Sequence, residues 1–135
     1  MIVLDASVLI GFLDITDAHH DTAQSIFVDH LDDTFAIDSL TLAEVLVGPR
    51  HTGSLDRALG IFEALAIEEL TFSEQTALRL SELRASTGLR MPDCCVLLSA
   101  EATGATIATF DVRLARAAKA RSLPLLPSYE PVGVG

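Results

Sequence analysis

Five short runs of apolar and β-branched residues recur along this chain, separated by longer segments whose apolar side chains return at helical spacing. A buried parallel strand reads as such a run, and an amphipathic helix as such a segment. The alternation therefore confines the chain to an α/β fold with a mostly parallel sheet. The predicted strands are residues 2–5, 35–38, 66–71, 105–110 and 123–126. Helices are predicted over 6–13 and over 17–31, the second with Ala23, Ile26, Phe27 and Leu31 on one side. Ser39 or Thr41 is expected to cap a third helix, which Gly48-Pro49 ends. A fourth spans 54–65, with Ser54 as cap and Leu55, Leu59, Phe62 and Leu65 inward. Ser73 is expected to cap a helix over 73–87, with Gly88 past its end. Pro92 opens the next helix, where its missing N–H does no harm, and that helix runs to about Gly104. Asp111 caps a helix over 112–121, and the tail from Pro127 is expected to be loose. No repeat or linker interrupts the pattern, so residues 1–135 are expected to form one domain.

Composition narrows what such a domain does. No apolar run reaches the roughly eighteen residues of a membrane span. The apolar start is interrupted by Asp5 and has no basic flank, since the first Lys or Arg is Arg50. Neither a signal peptide nor an anchor is read there, and a cytoplasmic protein is expected. Hydrophobic residues make up 50% of the chain. That excess suggests surface buried against another chain. The net charge of −10 argues, as a sum, against a polyanionic ligand. Its distribution is polarised, however: residues 1–49 hold nine acids and no Lys or Arg, whereas 112–121 hold Arg113, Arg116, Lys119 and Arg121 and no acid. The adjacent Cys94 and Cys95 have no zinc-type spacing and read as small buried residues in a reducing compartment.

Four carboxylates are notable as a set rather than one at a time. Asp5 and Asp111 follow predicted strands, and ligands of open parallel sheets bind beyond the carboxyl ends of strands. Glu44 lies in Leu40-Thr-Leu-Ala-Glu-Val-Leu-Val47, a helix apolar almost all round, where burial of a charge is costly unless it is paired, with Arg50 or a metal. Asp93 opens a helix after Pro92. Turn or helix capping would explain Asp5, Asp93 and Asp111 one at a time. Four anions in one pocket, however, repel and raise one another's pKa. Hard divalent cations relieve that repulsion through oxygen ligands, bridge to phosphate oxygens and activate water. Ser7 and Thr109, each two residues from one of these acids, can orient a carboxylate by hydrogen bonding.

The ordered set of motifs resembles the PIN-domain signature. Val3-Leu-Asp5-Ala-Ser7 matches its opening strand; Ser39-Leu-Thr-Leu-Ala-Glu44-Val-Leu-Val-Gly48 matches its helical Glu; Met91-Pro-Asp93-Cys94 matches its third motif, with Cys where Ala is usual; Ala108-Thr109-Phe-Asp111 matches its closing strand. The resemblance covers residues 1 to about 127. It implies a Rossmann-like three-layer α/β/α sandwich. It also implies a VapC-type toxin: an Mg²⁺- or Mn²⁺-dependent endoribonuclease using Asp5, Glu44, Asp93 and Asp111, leaving 3′-hydroxyl and 5′-phosphate ends. A homodimer and a VapB-type antitoxin that wraps the toxin are implied as partners.

RNA contact must then be local. Arg113, Arg116 and Lys119, spaced by three, share an outer stripe of the last long helix, with Leu114, Ala117 and Ala118 toward the core. That stripe, with Arg84 and Arg90, is the expected phosphate contact, against its reading as a solvated face. His19 and His20, beside Asp17 and Asp21, read as a solvated helix start, and His30 and His51 as surface residues. An aspartyl-nucleophile phosphatase would carry Asp-x-Asp after the first strand, where Ser7 stands instead. A receiver domain needs adjacent acids there. A non-cleaving PIN-like module that binds RNA or protein is the remaining alternative.

Overall fold

In the computed structural model, residues 1–128 are described; the expected loose tail falls, apart from Pro127 and Ser128, outside them. The elements are β1 (Ile2–Leu4), α1 (Ala6–Leu13), α2 (His20–Asp29), β2 (Phe35–Asp38), α3 (Ser39–Thr52), α4 (Leu55–Ala64), β3 (Glu68–Leu70), α5 (Thr76–Thr87), α6 (Met91–Thr103), β4 (Thr106–Ala108), α7 (Val112–Ala120) and β5 (Leu125–Leu126). The sheet order is β3-β2-β1-β4-β5, and every pair is parallel. Side chains alternate across the buried β1. Ile2 and Leu4 join a core with Val8, Leu9, Phe27 and Phe62, while Val3 joins a second with Leu83, Leu97, Ile107 and Leu114. The sheet is thus sandwiched between α1–α4 on one face and α5–α7 on the other. The edge strand β3 carries exposed Glu68 and Glu69, charges that discourage pairing with another sheet.

Several ends differ from the sequence expectation. The cap of α3 is Asp38, not Ser39 or Thr41. The Thr41 N–H donates to Asp38 Oδ1 at 2.9 Å and the Thr41 hydroxyl to Oδ2 at 2.7 Å. Gly48-Pro49 does not end α3, which runs to Thr52 and stops at left-handed Gly53. Pro49 removes one N–H from the ladder, but its carbonyl still accepts from the Gly53 and Ser54 N–H groups and closes the last turn. Helix α2 begins at His20 because Asp14 and Asp17 draw the Thr16 and His19 N–H groups into side-chain turns. It ends before Leu31, which is exposed, as is Leu59 on α4; Ala58 and Phe62 face inward there. Ser54 takes the cap position of α4 without a side-chain bond, and α5 starts only at Thr76, after left-handed Gln75 rather than Ser73.

The carboxylate of Asp38 is fully buried, with Thr41 beside it. Asp38→Ala removes a helix cap and strands a buried hydroxyl, so it should cost about 2 kcal/mol. The melting temperature should fall by roughly 5–8 °C. An unchanged melting curve would mean that α3 starts without help from this side chain.

Candidate active site

Asp5, Asp93, Asp111 and Glu44 are carried by β1, α6, α7 and α3, and the parallel sheet brings the first three to its carboxyl edge. The Asp5 N–H donates to the Ala108 carbonyl at 2.9 Å, continuing the β1–β4 pairing one residue past the strand. This places Ser7 and Thr109 on the same carboxylate oxygen. Both hydroxyls donate to Asp5 Oδ2 at 2.7 Å. Each hydroxyl oxygen is in turn an acceptor, Ser7 Oγ from the Phe110 N–H and Thr109 Oγ1 from the Asp111 N–H, both at 3.0 Å. The sequence had set Thr109 beside Asp111; in the fold its hydroxyl links the two acids. Asp111 caps α7, Oδ1 accepting from the Arg113 and Leu114 N–H groups. Its capping role therefore coexists with its place at the site.

Asp93 is the electrostatic centre. It is buried in the first turn of α6, with Arg90 Nε 4.0 Å from its Oδ2. Its pKa is raised to about 6, by burial first and then by the charges of Asp111 and Asp5, with Arg90 opposing and Glu44 adding the smallest push. All three other acids therefore act on one carboxyl group. They are not contracted onto one point: among the described residues, no group of three or more His, Cys, Asp or Glu is drawn to chelating distance. The candidate donor set is all carboxylate oxygen, a type that suits a hard dication such as Mg²⁺ or Mn²⁺.

Residues 2–120 match the PIN domain. The chain belongs to the PIN-domain family. No curated protein sequence is a match. Among solved structures, this PIN domain resembles VapC20 of Mycobacterium tuberculosis, described as a toxin cleaving the sarcin-ricin loop (TM-score 0.74, 14% identity, 87% of this chain and 95% of that one). It also resembles VapBC2 of Rickettsia felis bound to a promoter DNA fragment (0.71, 21%, 93% and 97%) and a toxin–antitoxin complex from Klebsiella pneumoniae (0.70, 22%, 82% and 87%). At these identities the likeness is one of fold.

Glu44 departs from expectation. It is exposed on α3, together with Leu40 and Val47. Among the described residues nothing covers the apolar outer face of that helix, so no burial cost falls on Glu44 there. Arg50 makes no ion pair with it among the described residues. Arg113, Arg116 and Lys119 are all exposed on α7. Arg113 and Arg116 line a groove with Ser86, Thr87, Leu89 and Arg121, whereas Lys119 lies off it. Arg84 is tied down, donating to the Leu89 carbonyl at 2.6 Å.

Two features of this PIN domain escaped the sequence reading. Asp38, read only as a strand end, is a buried cap; the spacing Asp38-x-x-Thr41 was the available signal. His19 and His20 are more than a solvated helix start. His20 Nδ1 lies 2.9 Å from the Gly11 carbonyl, and the His19 ring lies on Phe110. Cys94 and Cys95 are buried and unpaired. Burial, and after it the charges of Asp38, Cys94 and Glu44, pushes the Cys95 thiol up to about 12, so it stays protonated and unreactive.

Proposed function

We propose that this chain is a single-domain, metal-dependent endoribonuclease, the toxin of a VapBC-type toxin–antitoxin pair in the cytoplasm. The observation that supports the reading is that the charges of Asp111, Asp5 and, least, Glu44 all bear on the buried Asp93. Such a field is unfavourable for the fold alone and suited to a hard cation and a phosphodiester. Asp5, Glu44, Asp93 and Asp111 would hold Mg²⁺ or Mn²⁺, which when bound supplies positive charge against phosphate oxygens and eases deprotonation of water. The protein's own work is orientation. Ser7 and Thr109 lock the Asp5 carboxylate, and the N-terminal amides of α7 lock Asp111. Exposed Leu40 and Val47 on α3, Met91 on α6 and Val112 on α7 offer apolar surface to a second copy of the chain and to an antitoxin. Among the described residues no helix is long and apolar enough to cross a membrane.

The test is incubation of the purified chain with total RNA in Mg²⁺, in Mn²⁺ and in EDTA, with the new ends mapped. Cuts bearing 3′-hydroxyl and 5′-phosphate ends, lost in EDTA and in Asp5→Ala, are expected. Cleavage indifferent to both would sink the assignment, and RNA binding with no cleavage would favour the non-cleaving module.

The basic stripe on α7, the two groove arginines with Lys119 beside them, should contact RNA phosphates. Neutralising Arg113, Arg116 and Lys119 together to Gln should weaken RNA binding about tenfold at moderate salt. It should also flatten the slope of log affinity against log salt by about 2, as loss of three single-strand phosphate contacts requires. An unchanged slope would leave these side chains as a solvated helix face.

A further inference from the structure

The ring of His19 lies almost parallel to that of Phe110, with centroids 4.5 Å apart and planes 13° from one another. The other phenylalanine ring pairs are Phe12 with Phe27 and Phe27 with Phe35, in or against the core, and a looser stack of Phe12 with half-buried His20, centroids 6.5 Å apart. His19, by contrast, is exposed, and its imidazole rests on half-buried Phe110. The ring is carried on a rigid support. The His19 N–H donates to Asp17 Oδ1 at 2.8 Å, its carbonyl accepts from Ala23 at 2.9 Å, and the next residue is held to Gly11. Phe110 stands between Thr109 and Asp111, and its N–H donates to the Ser7 hydroxyl that holds Asp5. The stack is therefore built directly onto the backbone of the carboxylate site.

We propose that the exposed ring of His19, backed by Phe110, is a stacking platform for one unpaired base of the RNA; this inference rests on the nuclease reading above. The local charge decides which part of the RNA fits. Asp14, Asp17 and Asp21 surround the start of α2, and no Lys or Arg occurs before Arg50, so a phosphate would be repelled there. The uncharged face of a base suits an exposed aromatic ring, and single-stranded RNA is commonly read through such stacking. Phosphates would run on the opposite side, along the α7 groove. The platform would select for a splayed, single-stranded base beside the cut and would discriminate against duplex RNA.

The full chain carrying Asp93→Asn, which binds without cutting, is titrated into short oligoribonucleotides of mixed sequence, each with a single 2-aminopurine at a different position. One position should show strong quenching on binding. His19→Leu keeps an apolar cover over Phe110 but removes the π face: the melting temperature should hold, binding should weaken about tenfold, and the quench should vanish. His19→Phe restores an aromatic face without the imidazole nitrogens and should return affinity to within about twofold, with the quench. Unchanged binding and quench in His19→Leu would overturn the platform, as would a His19→Phe protein as weak as His19→Leu. Failure of the parent protein to bind any of the oligonucleotides would instead overturn the nuclease reading, and the platform with it.

Discussion

Asp93→Asn should make the metal-free protein more stable while destroying its activity. The Asp93 pKa stands at about 6 in the folded chain, against 3.8 for an ordinary Asp. Below pH 3.8 the carboxyl is protonated in both folded and unfolded chains and carries no penalty. Between the two values the folded chain holds a proton that the unfolded chain has released, so stability declines as pH rises. Above about pH 6 the penalty is complete, on the order of 2–3 kcal/mol. Asn escapes it, at the loss of roughly 0.5 kcal/mol of favourable interaction with the amino end of α6. The melting temperature in EDTA at pH 8 should therefore rise by roughly 4–8 °C, and the gain should shrink to nothing by pH 4. Mg²⁺ should raise the wild-type melting temperature by mass action and leave the variant's nearly unmoved. Cleavage should fall at least about a hundredfold, the loss of a few kcal/mol of stabilisation at the reacting phosphate. A variant that melts lower at pH 8, or gains equally at pH 4 and pH 8, would show that Asp93 is not held among anions.

Asp5→Asn should be nearly silent for the fold and severe for the reaction. The side chain is buried, and its Oδ2 accepts two hydroxyl bonds. An Asn oxygen in the same place can accept from Ser7 and Thr109, so the link between the ends of β1 and β4 survives. The negative charge does not, and cleavage should fall by about a thousandfold. Thr109→Val separates orientation from charge. It keeps shape and the Asp5 side chain, but removes one donor to Asp5 and the acceptor for the Asp111 N–H. Loss of such an orienting bond should cost ten- to a hundredfold in metal affinity or rate. Thr109→Ser, which restores the hydroxyl, should recover most of it. Equal activity in Thr109→Val and wild type would reduce the network to packing.

Helix and strand types were legible because they depend on near neighbours. The run Ile2-Val3-Leu4 reads as a strand buried on both faces, and Leu114 and Ala118 as facing a core, and all five are buried. Errors gathered at ends, where one side chain decides. Asp38 caps α3 because the helix begins earlier than expected, at Ser39, which sets the Asp38 carboxylate against the Thr41 N–H. Gly48-Pro49 looked like a stop, yet packing of α3 against α1, α4 and α6 carries the helix one turn further.

From residue order alone came the α/β class, the motifs of the PIN domain and the four acids, since each is a local pattern of polarity written within a few positions. The tertiary structure alone decided that Ser7 and Thr109, the latter 104 residues from Asp5, share one oxygen of it. It likewise decided that Glu44 faces outward and that His19 covers Phe110. Those outcomes turn on which parallel strands lie side by side and on how helices cross the sheet. Contacts between distant segments leave no trace in the spacing of residues along the chain.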